Sequence, residues 1–147
     1  MHLHDMRTMI ARLALPAALF MVAPQAAAEE REDHLTHRHR TIRISSTRLS
    51  PQELRIGTDD AVAWLNYSNQ LARISFDSSV AEKIRCSSKT SFRLTGDRIS
   101  SRRVQGTQFA SLCHLVPGEY AYRVDLFSGA GGGGAVERSL KGRIRVD

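Results

Sequence analysis

The chain has 147 residues, is 41% hydrophobic, and carries a formal net charge of +6. Its basic residues are nearly all arginine, with Lys83, Lys89 and Lys141 the exceptions, and they are spread along the sequence. That spread excludes a concentrated nucleic-acid groove and leaves a solvated basic face, or docking onto an acidic partner or an anionic membrane surface.

Taken in chain order, the N-terminus reads as a processing segment. Arg7 and Arg12 precede an apolar stretch at 13–22, interrupted only by Pro16, and Ala26-Ala27-Ala28 supplies a small-x-small cleavage pattern. The apolar stretch falls short of the roughly 20 residues that span a bilayer. We therefore expect a signal peptide at 1–28 and export to the periplasm, with no membrane-spanning segment afterwards. The remaining chain suits one domain in the usual range of about 100–150 residues. Residues 29–40 are charged, with Leu35 the only large apolar residue, and predict a mobile arm that contains His34, His37 and His39. The domain proper is expected at 41–147.

Thr41-Ile42-Arg43-Ile44-Ser45 alternates with period two and predicts the first strand. Residues 49–53 predict a turn, 53–56 a second strand, and Gly57-Thr58-Asp59-Asp60 another turn. Strands are predicted at 61–65 and 73–76, with a polar loop at 66–70 between them. Residues 80–84 predict a short helical turn, and 90–94 alternate again before Gly96. Residues 98–105 are polar and arginine-rich, and predict an exposed excursion. Residues 109–112 are apolar enough to pack. Pro117-Gly118 turns the chain into a strand at 120–126, and Gly129 with Gly131 to Gly134 predicts a flexible hairpin connection to a last strand at 142–146. Short strands with frequent turns and no helical period imply an all-β fold, a sandwich or barrel of about seven to eight strands.

Three constellations bear on chemistry. Cys86 and Cys113 form an even pair in an oxidising compartment, which predicts a disulfide closing a loop of about 28 residues. The alternative takes Cys86, Cys113 and His114 as ligands for a soft ion, Cu(I) or Zn(II). His34, His37 and His39 make a His-x-x-His-x-His tract that can capture Cu(II), Ni(II) or Zn(II), and otherwise serve a polar tail. Catalysis has little support. His114 is the only histidine after the arm, its adjacency to Cys113 defines no base–nucleophile geometry, and no spaced carboxylate pair stands out.

Two strand patterns carry a resemblance. Trp64-Leu65-Asn66 leads to Ala72-Arg73-Ile74, and Pro117-Gly118-Glu119-Tyr120-Ala121-Tyr122-Arg123-Val124 leads to the glycine run and the last strand. Together they resemble the cupredoxin family, small exported Greek-key β-sandwiches that usually hold one copper. The family's W-x-N-x-D-x-x-x-H pattern implies an aspartate where this chain has Ser68 and a histidine where it has Ala72. Its Y-x-Y-x-C pattern implies a cysteine where this chain has Val124, and residues 125–136 contain no Cys, His or Met. A type-1 site needs two imidazoles and a thiolate, so no cofactor is expected at the usual position. Trp64, Asn66, Tyr120 and Tyr122 read as core and turn residues. The expected function is a non-catalytic periplasmic binding or accessory module for a protein partner, with Arg98, Arg102, Arg103 and the loop at 129–134 as contact regions. The alternative is copper or zinc binding and delivery through the non-standard Cys and His ligands.

Overall fold

The computed structural model of the chain describes residues 38–86, 91–128 and 134–147. Among them run ten strands: β1 His39–Ile44, β2 Leu49–Ser50, β3 Glu53–Ile56, β4 Ala61–Asn66, β5 Leu71–Asp77, β6 Phe92–Thr95, β7 Arg98–Ser101, β8 Phe109–Leu112, β9 Gly118–Phe127 and β10 Val136–Val146. A 3-10 turn, Ser78–Lys83, follows β5 and is capped by Asp77, whose side chain accepts from the Ser79 N–H. The expected leader at 1–28, with His34 and His37, lies outside the described residues. No helix among the described residues is long and apolar enough to cross a membrane.

The strands make two sheets. One has the order β2-β1-β4-β8 and the other β3-β10-β9-β5-β7-β6. Both are mixed: β1 runs parallel to β4 and β3 parallel to β10, while the remaining pairs are antiparallel. The sheets enclose one apolar core, so the architecture is a sandwich.

Alternation decides which side chains enter that core. On β4, Val62, Trp64 and Asn66 point inward. Trp64 sits opposite Ala110 on β8 and Ile42 on β1, and the small Ala110 leaves room for the indole. From the facing sheet come Phe76 and Tyr122, and the rings of Phe76, Phe92 and Tyr122 meet Trp64 at centroid distances of 5.8, 5.6 and 5.4 Å, all edge-on. Edge-to-face packing of this kind adds to the area term. Gly142 is paired with Tyr122 across β10 and β9, and a Cβ at that position would overlap the tyrosine ring. The four residues read as core and turn in the sequence take those places. Trp64 and Tyr122 lie in the core, Tyr120 donates its hydroxyl to the Val116 carbonyl at 2.6 Å, and Asn66 closes the β4–β5 loop.

Ten strands are described where about seven to eight were expected, and several elements differ from the sequence reading. Leu49–Ser50, expected within a turn, pairs with β1 as strand β2. β1 begins at His39, two residues before the alternation, because the backbone ladder with β4 continues past the last inward side chain. Residues 98–105 form no loose excursion. Arg98–Ser101 is a strand in which Ile99 and Ser101 face inward, and Val104 is buried beyond it. The strand is hard to read because Ser101 uses its inward hydroxyl as an acceptor for the Ile74 N–H at 3.0 Å. β10 starts at Val136, well before the apolar alternation at 142–146. Its first residues are exposed and are held by backbone pairing to β9.

Candidate functional site

β5 and β9 are neighbours in the six-stranded sheet, with Ala72 opposite Leu126 and Ile74 opposite Val124. Ala72 and Val124 are therefore diagonal neighbours on the inward face, and both are 0% exposed. Leu126 and Val104 close around them. Ala72 and Val104 exchange backbone hydrogen bonds of 2.9 and 2.7 Å. The polar groups nearest this position in sequence are spent on each other. Asn66 donates its amide to the Gln70 and Val104 carbonyls at 2.8 and 2.9 Å, and its oxygen accepts from the Ser68 N–H and hydroxyl at 2.9 and 2.7 Å. A site whose lining is alanine, valine and leucine has no thiolate or imidazole to offer, and the residues present do not fit a type-1 copper.

Cys86 and Cys113 are joined by a disulfide with a Cα–Cα separation of 6.0 Å. The chain brings them together through an antiparallel bridge at Ile84 and Leu115, with the Arg85 N–H bonded to the His114 carbonyl at 2.8 Å and the Val116 N–H to the Lys83 carbonyl at 3.0 Å. The disulfide staples segments that the backbone already aligns. His114 is half-buried beside it, and in the disulfide state neither sulfur is a thiolate. His39 is exposed at the start of β1, opposite Ala61. Among the described residues no three His, Cys, Asp or Glu side chains gather as a metal-binding group.

The outward face of the six-stranded sheet is open and charged. Across β3, β10 and β9 its arginines meet carboxylates: Arg143 with Glu53 at 3.7 Å, Arg145 with Glu119 at 3.8 Å and Asp147 at 3.5 Å, and Arg123 with Asp125 at 3.1 Å. Arg55 pairs with Asp147 and holds its carboxyl below the usual range. Across β5, β7 and β6 the surface instead forms a groove of about 780 Å³. Arg73, Arg93, Arg98 and Arg102 line it together with serine and threonine hydroxyls, and no carboxylate does. A second cavity of about 460 Å³ adjoins it, and Arg98 lines both.

Two of the three arginines expected at a contact surface, Arg98 and Arg102, belong to this groove. Arg103 packs its guanidinium over the Phe127 ring at 4.1 Å instead. Arg73 also lies over that ring, at 5.3 Å. Of the glycine connection, residues 129–133 lie outside the described residues. The sequence reading missed Arg93, which the β6–β7 hairpin sets beside Arg98, and Arg73, which meets them only through strand order.

Among solved structures, the fold is similar to a reduced tryptophan-to-tyrosine variant of amicyanin, with a TM-score of 0.50 and 15% identity over 74% of this chain and 82% of that one. A methionine-to-alanine variant of amicyanin in its Cu(I) form gives 0.49 and 16%, over 73% and 80%. No protein-family model and no curated protein matches the chain. The likeness establishes the fold: the described domain is an all-β sandwich of cupredoxin-like architecture. It does not extend to a site, since function resides in sites rather than folds.

Proposed function

We propose that this chain is an exported, non-catalytic binding module that uses a cupredoxin-like sandwich as a rigid platform in the periplasm. The observation that carries this reading is the closed apolar packing of Ala72 and Val124, where the family pattern implies two copper ligands. The interior is spent on stability, and recognition falls to the surface. The leader-like segment at 1–28 and the Cys86–Cys113 disulfide support export into an oxidising compartment.

The test is the metal content and free-thiol count of protein recovered from the periplasm without a histidine tag. The module reading expects no stoichiometric metal and no free thiol. Reduced cysteines with bound copper or zinc would overturn it in favour of a Cys86, Cys113 and His114 site.

A second reading has one observation in its favour. His39 is exposed at the entrance to β1 and continues the tract of His34 and His37 in sequence. A copper- or zinc-capturing arm would then deliver metal, with the disulfide intact. Replacing the three histidines by alanine is expected to abolish Cu(II) binding while the melting temperature holds. Unchanged Cu(II) affinity would exclude the arm.

A further inference from the structure

We propose that the groove across β5, β7 and β6 is a binding site for a ligand carrying clustered tetrahedral oxyanions, phosphate or sulfate groups, with Arg73, Arg93, Arg98 and Arg102 as its cationic ligands. The inference rests on the binding-module reading and names the class of partner. Strand register builds the site. Arg93 lies opposite Ser100 and Arg98 opposite Thr95, so the two arginines are diagonal neighbours on one face, roughly 7 Å apart at their Cβ atoms. Arg73 projects from the same outer face of β5, two residues before Ser75, which pairs with Ser100. Like charges at this spacing repel and lower stability. The opposite half of the sheet offsets its arginines with Glu53, Glu119, Asp125 and Asp147. Among the described residues none of the four groove arginines forms an ion pair within 4 Å, and the carboxylate opposite Arg98 in the register is Asp77, which lines the adjoining cavity.

A second observation points to the same face. The row Lys141, Arg123, Ser75, Ser100, Arg93 crosses five strands in register. Ser75 stands in the middle, 3% exposed, on the wall of the adjoining cavity that shares Arg98 with the groove, and its hydroxyl has no hydrogen-bond partner in the protein. A buried hydroxyl left unpaired is costly.

The donor chemistry selects the ligand. Guanidinium forks grip two oxygens at a time, and the hydroxyls of Ser91, Thr95 and Ser100 add single donors from the sides. A carboxylate is satisfied by one fork, whereas a tetrahedral oxyanion takes several donors from different directions. The four cations are spread across β5, β7 and β6, a reach that suits a ligand carrying two or more such groups. A phosphorylated small molecule and the headgroups of an anionic membrane share this chemistry.

The experiment is calorimetric titration of the full chain with pyrophosphate, alongside sedimentation with phosphatidylcholine vesicles containing phosphatidylglycerol, and with poly-glutamate as the carboxylate probe. Pyrophosphate is expected to bind, and Arg93→Gln with Arg98→Gln to weaken it at least about tenfold. The paired-half variant Arg143→Gln with Arg145→Gln is expected to bind as the parent does. Arg93→Lys keeps the charge and loses the fork, and is expected to fall between them. Melting temperatures of all variants check folding. Vesicle binding with the same variant dependence, without pyrophosphate binding, supports the site and assigns its source to a lipid headgroup. Equal weakening by both double variants would overturn the proposal, because net charge alone would explain it. Poly-glutamate binding through Arg93 and Arg98 without any response to pyrophosphate or vesicles would also overturn it, while leaving the module reading standing.

Discussion

The two faces of the six-stranded sheet are made by the same strands and do opposite things. Along β5, Ala72, Ile74 and Phe76 turn inward and vanish from solvent, while Arg73 and Ser75 turn outward. Along β9, Tyr122 and Val124 turn inward and Arg123 outward. The inward face is where the family pattern implies metal ligands, and here it is packed with hydrocarbon and aromatic rings. The outward face keeps its charge, half of it neutralised by ion pairs and half of it not. A period of two lets one sheet be a core on one side and a recognition surface on the other, and each side can change without the other.

Breaking the inward face has the largest expected effect. Trp64→Ala removes the ring that Phe76, Phe92 and Tyr122 surround, and is expected to cost about 3–5 kcal/mol by urea unfolding. A loss under about 1 kcal/mol would mean the packing is looser than described. Replacing Cys86 and Cys113 together by serine opens a loop with a sequence separation of 27. The expected loss is about 3 kcal/mol, with metal content unchanged. Asn66→Ala leaves the buried Ser68 N–H without its acceptor and takes one of two donors from each of the Gln70 and Val104 carbonyls. The expected cost is about 2 kcal/mol.

The alkaline limb of the stability curve sharpens the comparison further. Burial pushes the Tyr122 phenol up to about 12, with the neighbouring Trp64 side chain offsetting part of the shift. The folded state therefore favours the neutral phenol. Its contribution is fully present below the unfolded value near 10 and is lost as pH rises from about 10 to 12. Tyr122→Phe is expected to flatten that limb, measured as the midpoint of urea unfolding against pH, and identical slopes in the two proteins would contradict the burial. The smallest effect belongs outside. Arg143 faces Glu53 on an exposed surface, and Arg143→Gln is expected to change stability by less than about 0.5 kcal/mol.

How legible each feature is in the sequence depends on how it is encoded. Trp64 with Asn66, and Tyr120 with Tyr122, lie within single strands, where spacing alone assigns them to the inward face. Two cysteines allow only one intramolecular pairing, so the disulfide needed no geometry. β7 was hidden because Ser101 faces inward as a hydrogen-bond acceptor, which a hydrophobic pattern cannot register. The front of β10 was hidden because its side chains are exposed and it is held by backbone pairing with β9 and by polar contacts, Gln70 donating to Glu137 and Ser139 to Asp125, which a hydrophobic pattern cannot register. The groove was half visible. Arg98 and Arg102 stand close in sequence and Arg93 joins them through the β6–β7 hairpin, but Arg73 joins them only because β7 pairs with β5. Arg103 sits beside Arg102 in sequence and lies instead against Phe127, a contact set by where the end of β9 falls.

The central claim is that apolar packing fills the position where the cupredoxin pattern implies metal ligands. It is tested most directly by adding Cu(II), then ascorbate-cycled copper, to untagged protein while recording the visible spectrum. Any copper held by the histidine arm is removed from the comparison by using the His34→Ala, His37→Ala, His39→Ala variant. The account predicts no thiolate-to-copper absorption and no retained copper after dialysis. An intense blue band with copper retained at one equivalent would contradict it.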